Sequence, residues 1–436
     1  MTKNKRNTWI PDQVWEKETG MLAQLKFIRS YSVSKQAKSK YFKINNHTPL
    51  VVPDSDLRSM HFIFLLCFSS IIQPHDFNII SIQDILIQRP DIEYIKCHDA
   101  QPFEYKPFPI SRFPELQPNK GILAETFIAK IPNGQVCSWH GWIKIDNNII
   151  QNFIFPYATF TGQKDMLKYF KFNNIKKIAG KVAVITMPFD NCYGHWMINI
   201  LGRLALLQLH NIDYDWLYVS TDQPFMRETL ALCGVDPAKI ISPFGQNYYI
   251  QADELIVPSH ACIINPQLWT PLCGYYLSPW IINYLQTKFL PIAQNSTQPF
   301  CKKVFISRKN SSRHMTNEDE IFALFKPLGF KRYFLENMSL QEQITLFHNA
   351  TTIIATNGSS LTNQLFCKPN TNIIEIFLAR SDATFYYASE VLKLNQYCIK
   401  TKDFHDAEGS QHAHVDPAIM YNFITHNAYL FESNTL

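Results

Sequence analysis

Apolar and polar positions change their rhythm along this chain. Up to about residue 150 the signals are short and mixed: Pro-containing stretches around Pro90, Pro102 and Pro114 break the runs, and Trp142 to Phe155 alternates about Asp146-Asn147-Asn148 as a hairpin would. This part reads as β-rich. From Lys181 the pattern is regular. Val182-Ala183-Val184-Ile185 has the continuous apolar character of a buried strand, and from His195 to His210 the residues Trp196, Ile200, Leu204 and Leu207 recur on one helical face. A strand at 216–220 follows, then a helix at 224–233 stopped by Gly234, and strands at Ile240-Ile241 and Leu255-Ile256-Val257.

A polar, Pro- and Ser-containing stretch from Gln294 to Pro299 predicts a domain boundary, beyond which the alternation restarts. Val304-Phe305-Ile306 reads as a strand, and 317–325 as a helix with Asn317 as N-cap and Glu320 three residues on. A strand at 333–335 comes next. Ser339 and Glu342 form a capping-box pattern for a helix reaching Asn349; a strand at 352–355, a helix at 360–366 and a strand at 373–377 complete the series. Alternation with short links implies a parallel sheet covered by helices. Its occurrence twice predicts an α/β chain of two Rossmann-like domains facing a cleft, preceded by a β-containing N-terminal region. The expected divisions are 1–150, 151–295 and 296–400, with 401–436 packing back on the other domain.

Composition adds limits. The 46% hydrophobic content of 436 residues supports large cores, and 41 basic against 36 acidic residues, scattered, give no nucleic-acid footprint. Ten cysteines without a CxxC pair read as reduced, mostly buried thiols rather than a zinc site or a disulfide scaffold. The basic, polar start lacks an apolar secretory segment, so the expectation is a cytoplasmic protein. The strongest apolar run, His61 to Ile72, falls short of the roughly twenty residues that a spanning helix needs. Contact with a membrane surface stays open.

Three constellations carry candidate chemistry. Asn191-Cys192-Tyr193-Gly194-His195-Trp196 sits where a strand's carboxyl end enters a helix, the place where open α/β sheets bind ligands. His195, Asn199 and Arg203 recur there at i, i+4 and i+8. An imidazole so placed can take a proton from an attacking hydroxyl, and the alternative is a solvated stripe beside a structural histidine. The second is Ser307-Arg308 directly after a strand, with Arg313 and Asn317 following; guanidinium groups bind phosphate oxygens bidentately, while the plain alternative is surface bridges to Glu318 or Asp319. The third is Thr356-Asn357-Gly358-Ser359-Ser360-Leu361-Thr362-Asn363, where a glycine permits close approach and a helix start offers N–H groups to an anion. The plain alternative is a strand-to-helix turn capped by serine.

Other patterns are set aside. Asp213-Tyr214-Asp215 has metal-bridging spacing but precedes its strand, at the wrong end of the sheet. His412 and His414, with His405 and Asp406, lack a completing ligand. No GxSxG elbow and no dinucleotide fingerprint occur, which disfavours a serine hydrolase and a dehydrogenase.

Taken together the segments resemble the family 61 glycosyltransferases. The resemblance rests on Asn191, His195, Trp196, Arg203 and Leu204; Ser307, Arg308, Arg313, Asn317 and Glu318; Gly329 and Phe330; Glu342, Gln343 and Phe347; Gly358, Leu361, Thr362 and Asn363; and Glu375, in consistent order from about Lys181 to Phe377. It implies a GT-B fold and an inverting hexosyl or pentosyl transfer with no obligatory metal or other cofactor, from a nucleotide sugar, UDP-linked in the first instance. The acceptor would be a glycan, a lipid-linked glycan or a protein, as in polysaccharide biosynthesis. The catalytic candidates are His195, Asn191 and Asn199. Donor binding would fall to Arg308, Arg313, Asn317, Asn357, Gly358, Ser359, Ser360, Leu361, Asn363 and Glu375, with the arginines and the turn near the diphosphate and Glu375 at the nucleoside or shaping the cleft. The family commonly has His-Gly-Ala-Gly at the turn and an acidic residue at the position of Asn199. Those departures make a catalytically silent nucleotide- or carbohydrate-binding protein the alternative.

Overall fold

The structure, a computed structural model, describes residues 41–42, 50–51, 78–110, 118–137, 140–154, 175–243, 249–262, 276–296, 298–311, 313–378, 382–401 and 412–431. The apolar run at 61–72, the stretch around Pro114, and His405 and Asp406 lie outside them. The chain divides into Met1–His75 and Asp76–Leu436. In the first unit β1 (Tyr41–Phe42) and β2 (Leu50–Val51) pair antiparallel.

The second unit opens with β3 (Asn78–Ile80), α1 (Ile82–Gln88), β4 (Glu93–His98), β5 (Gln101–Glu104), β6 (Lys120–Leu123), β7 (Thr126–Pro132), β8 (Gln135–Cys137), β9 (Trp142–Ile145) and β10 (Asn148–Ile150). The expected hairpin is β9–β10, turning at Asp146, whose φ of 52° is one that Asp tolerates. Then come β11 (Ile175–Val184), α2 (Tyr193–His195), a π-helical turn (Trp196–Ile200), α3 (Leu201–Leu209), β12 (Trp216–Tyr218), α4 (Pro224–Leu232), β13 (Ile240–Ile241), β14 (Tyr249–Pro258) and α5 (Pro279–Gln294). The strands β13-β12-β11-β14 are parallel neighbours in that order. Counted along the chain this is 3-2-1-4, the arrangement of the first half of a doubly wound sheet. β7 and β8 add to β14 antiparallel, so residues 78–150 and 175–258 share one ten-stranded sheet.

A second, five-stranded sheet is built from β15 (Lys303–Ile306), α6 (Glu318–Phe325), β16 (Lys331–Tyr333), α7 (Leu340–Asn349), β17 (Thr352–Thr356), a 3-10 helix (Ser359–Phe366), β18 (Asn372–Phe377), α8 (Thr384–Leu392) and β19 (Asn395–Lys400), followed by α9 (Pro417–His426). All five strands are parallel in the order β16-β15-β17-β18-β19. The mixed α/β expectation is met, and the capping box at Ser339 and Glu342 is present.

Three expectations need correction. The helix after β17 is 3-10 rather than α. Asn317 precedes α6 without capping it: its amide nitrogen bonds Glu320 and the Val415 carbonyl, and its oxygen accepts from Val415 N at 2.9 Å. The segment expected to pack back on the other domain returns instead to its own sheet. Met420, Leu430 and Phe431 bury themselves with Phe305, Phe325 and Phe330, because α6 leaves an apolar face there that only aromatic and aliphatic side chains can cover. The two sheets share a core through α5, whose Phe289 meets Phe366 edge-on and whose Gln286 donates to the Leu365 carbonyl.

Candidate active site

In the five-stranded sheet the chain leaves β15 toward β16 on one side and reaches β17 on the other, so the carboxyl ends of β15 and β17 flank the switch in strand order. Ligands of open α/β sheets bind at that crevice. Ser307-Arg308 ends one strand and Asn357-Gly358 the other. Glu318, buried at the first position of α6, holds the Arg308 loop by accepting from the Ser307 hydroxyl and from Arg308 N, the latter at 2.9 Å. Arg308 Nη1 donates to the Asn357 carbonyl at 3.3 Å. Asp319 is taken by Lys309 and Arg332.

The guanidinium of Arg308 occupies the space in which a Cβ on Gly358 would stand. A side chain here would have to displace that guanidinium, and the φ of 157° is one that L residues rarely adopt. Burial, and next the charge of Arg313, push the Arg308 pKa down to about 10, so it is still a cation at neutral pH. The Glu336 carboxylate acts on Arg308 in the opposite sense, and two cations near one another favour an anion beside them. The first N–H groups of the helix that opens at Ser359 lack acceptors inside it, and the buried Ser360 hydroxyl has no hydrogen-bond partner among the described residues. Beneath the turn, Asn357 Nδ2 donates to Glu375 Oε1 at 2.8 Å and Gln396 Nε2 to Glu375 Oε2 at 2.7 Å. Glu375 is fully buried, which pushes it up to about 8, and its place is under the turn, holding Asn357.

The other sheet carries the first constellation. Its strand order switches between β11 and β14, and that crevice is filled from within by Arg203. The fully buried guanidinium donates Nε–H to the Pro258 carbonyl at 3.0 Å and Nη1–H to the Thr186 carbonyl at 2.9 Å, clamping the two carboxyl ends. Burial lowers its pKa to about 9. The His195–Asn199–Arg203 stripe is therefore not a solvated face: Asn199 and Arg203 are both buried.

His195 is half-buried, and its Nδ1 lies 3.3 Å from Asn199 Oδ1. Burial drives the imidazole down to about 4, so it is neutral at pH 7. With the amide oxygen facing Nδ1, that nitrogen carries the proton and Nε2 keeps a lone pair. The π-helical turn that starts at Trp196 directly follows. Such turns recur at functional sites. Asn191 is exposed on the turn before α2.

The constellations meet. Tyr193 donates its hydroxyl hydrogen to Asn363 Oδ1 at 2.5 Å, and Asn363 Nδ2 donates to Gln343 Oε1 at 3.0 Å. A Cβ at Gly194 would stand 3.1 Å from Thr362 Oγ1, so the start of α2 lies against the 3-10 helix. Cys192 lies near Arg308. Asn317 stands apart, bonded to Val415, and Leu361 is core with its N–H on the Gly358 carbonyl.

Asp190 was not singled out in the sequence, and Tyr193 was quoted there without a role. Asp190 is buried between the carboxyl ends of β11 and β12, where its Oδ2 accepts from Thr186 Oγ1 at 2.8 Å and Ser220 Oγ at 2.6 Å; burial raises it to about 7. Tyr193 bridges to Asn363. A single Asp in a loop or Tyr at a helix start carries no periodic signal. Asp215, of the discarded Asp213-Tyr214-Asp215 pattern, accepts from Lys181 N beside the start of β12.

Residues 193–374 match the Glycosyltransferase 61 family model. The match assigns this segment to glycosyltransferase family 61. It runs from the start of α2 to β18, taking in His195, Arg308 and Gly358, while Asn191 and Glu375 fall just outside. No curated protein matches the chain. A family 61 glycosyltransferase uses a sugar donor and an acceptor. Among the described residues, no helix is long and apolar enough to cross a membrane.

Proposed function

We propose that the chain transfers a sugar, with inversion and without a metal, from a nucleoside diphosphate donor to a hydroxyl acceptor on a GT-B arrangement. The carrying observation is the unlikeness of the two crevices. Arg203 fills the one between β11 and β14. The one between β15 and β17 instead presents Arg308 over Gly358, with a helix start beside it. A diphosphate suits the second, whereas the Arg203 guanidinium sits in the first, and this contrast supports a donor site, for a UDP-sugar in the first instance, on the five-stranded sheet.

In this reading the acceptor hydroxyl attacks the anomeric carbon from the His195 side. Its proton passes to Nε2 of the neutral imidazole as the new carbon–oxygen bond forms. The bond from the anomeric carbon to the diphosphate breaks, and the electron pair leaves with the diphosphate, whose charge Arg308, Arg313 and the N–H groups at Ser359 and Ser360 receive. Asn199 positions the imidazole and fixes its tautomer without holding charge. Asn357 positions Arg308.

The test is release of nucleoside diphosphate from a panel of UDP-, GDP- and CDP-sugars with mixed glycan acceptors, with and without chelator. Activity with one donor class that survives chelation and falls at least 100-fold in His195→Ala is expected. Nucleotide binding with no turnover in any combination would instead identify a catalytically silent binding protein.

A further inference from the structure

Tyr193 stands two residues before His195, at the start of a helix that runs only from Tyr193 to His195 before the π-helical turn takes over. So short a helix has few internal hydrogen bonds to hold its direction. Contacts on two sides hold it instead. Toward α4, Trp196 Nε1 donates to Thr229 Oγ1 at 2.7 Å and the Tyr193 ring meets Phe225 edge-on at 5.4 Å. Toward the five-stranded sheet, the Tyr193 hydroxyl donates to Asn363 Oδ1 at 2.5 Å.

The sense of that last bond is dictated from behind it. Gln343 Nε2 donates to the Leu335 and Met338 carbonyls, which can only accept, so Gln343 turns its Oε1 to Asn363. Asn363 must then offer Nδ2–H to Gln343, which leaves Oδ1 in want of a donor, and the phenol supplies it. Asn363 is fully buried, so it acts through Tyr193 rather than on a bound donor. The 3-10 helix that carries it has two joints. Near its end, Leu365 and Phe366 meet α5. At its start it lies against α2, where a Cβ on Gly194 would stand 3.6 Å from Ser359 Cβ and 3.1 Å from Thr362 Oγ1.

We propose that Tyr193 and Asn363 are positioning residues that couple occupation of the Gly358 turn to the placement of His195. This rests on the proposed donor turn and base and adds a link between them. Residues at i and i+2 of a helix face different ways, so Tyr193 acts on His195 by holding the helix, not by touching the imidazole. In-line transfer needs base and leaving group set on opposite sides of one carbon, and a misplacement of about 1 Å can cost about 100-fold. The two groups come from different sheets, and the Tyr193–Asn363 bond joins their supports directly. An anion that orders the first turn of the 3-10 helix therefore orders α2 as well.

The experiment is amide hydrogen exchange read by mass spectrometry on the full chain, with and without excess UDP, on wild type, Tyr193→Phe, the double variant Tyr193→Phe/Asn363→Leu, and Gln286→Leu. In wild type, UDP is expected to slow exchange at least threefold both at 356–366 and at 193–200. In Tyr193→Phe and the double variant the slowing at 356–366 should persist, with UDP affinity within threefold of wild type, while the slowing at 193–200 disappears. The double variant leaves no orphaned oxygen at position 363, so a loss it shares with Tyr193→Phe comes from the missing link and not from a strained core. Gln286→Leu breaks the other joint of the same helix and should melt lower yet keep both effects. Slowing at 193–200 retained in either Tyr193 variant, its loss in Gln286→Leu as well, or slowing confined to 356–366 in wild type overturns the coupling. Absence of slowing at 356–366 in wild type overturns the donor reading itself, and the coupling with it.

Discussion

The Arg308 guanidinium lies where the side chain of residue 358 would begin, and residue 358 is glycine. A cation and a bare backbone thus occupy the same small volume at the switch of the five-stranded sheet. Gly358→Ala is expected to displace the guanidinium and weaken UDP binding by about 10- to 100-fold, in line with one charged hydrogen bond of roughly 1.5–3 kcal/mol. The fold cost of Gly358→Ala should shrink in an Arg308→Ala background, because the clash is then gone. A double-mutant cycle by urea unfolding measures that coupling.

In the proposed mechanism the His195–Asn199 pair sets the acid limb of the rate. With the imidazole near pKa 4, kcat/KM on the acid side should stay flat from about pH 8 down to about pH 5.5. Asn199→Asp places a negative charge beside Nδ1, stabilises the imidazolium and moves that limb upward. A wild-type limb near pH 7 that Asn199→Asp leaves unmoved would point to Asp190 as the base instead.

Stability should peak near pH 6.5. His140 and His260 are buried to about 3 and His195 to about 4, below the unfolded value of 6.5, so their contribution is full above pH 6.5 and is lost as pH falls toward 3. Asp190 and Glu375 are raised to about 7 and about 8 from 3.8 and 4.5, so their contribution is full below those unfolded values and is lost as pH rises to 7 and 8. From pH 4.5 to 6.5 three histidines outweigh two carboxyls; of these five groups only the carboxyls change between pH 6.5 and about 8. Each group contributes a slope of at most about 1.4 kcal/mol per pH unit. Urea midpoints from pH 4 to 9 check the peak, and Glu375→Gln should flatten the alkaline fall.

Arg203 acts as a clamp. Arg203→Met leaves the Thr186 and Pro258 carbonyls without this donor, at about 1–3 kcal/mol each, partly offset by no longer burying a charge. Lower thermal stability with unchanged UDP affinity of the folded protein is the expected result, read by calorimetry. A selective loss of UDP affinity would place the nucleotide at the wrong sheet.

Much of this was legible in the sequence because it is periodic or local. Val182 to Ile185, Val304 to Ile306 and Thr352 to Ala355 announce buried strands by their apolar character, and Ser339 with Glu342 announces a helix start by three-residue spacing. What stayed hidden depends on residues distant in the chain. Nothing near Arg203 tells that its partners are the carbonyls of Thr186 and Pro258, and nothing near Asn317 tells that its amide closes on Val415. The π-helical turn after His195 was missed because its residues keep a helical apolar pattern while adding one residue to the turn. Gly358 was read as a point where an anion could approach the backbone; the group that approaches it in the structure is Arg308, fifty residues earlier.

The most direct test of the central claim is calorimetric titration of UDP, GDP and CDP, with chelator present, into wild type, Arg308→Ala and Arg203→Met. Binding of one diphosphate that drops at least tenfold in Arg308→Ala and persists in Arg203→Met is the predicted result. Equal affinity of wild type and Arg308→Ala for every diphosphate that binds, or no binding at all, would contradict the assignment of the donor to the crevice between β15 and β17.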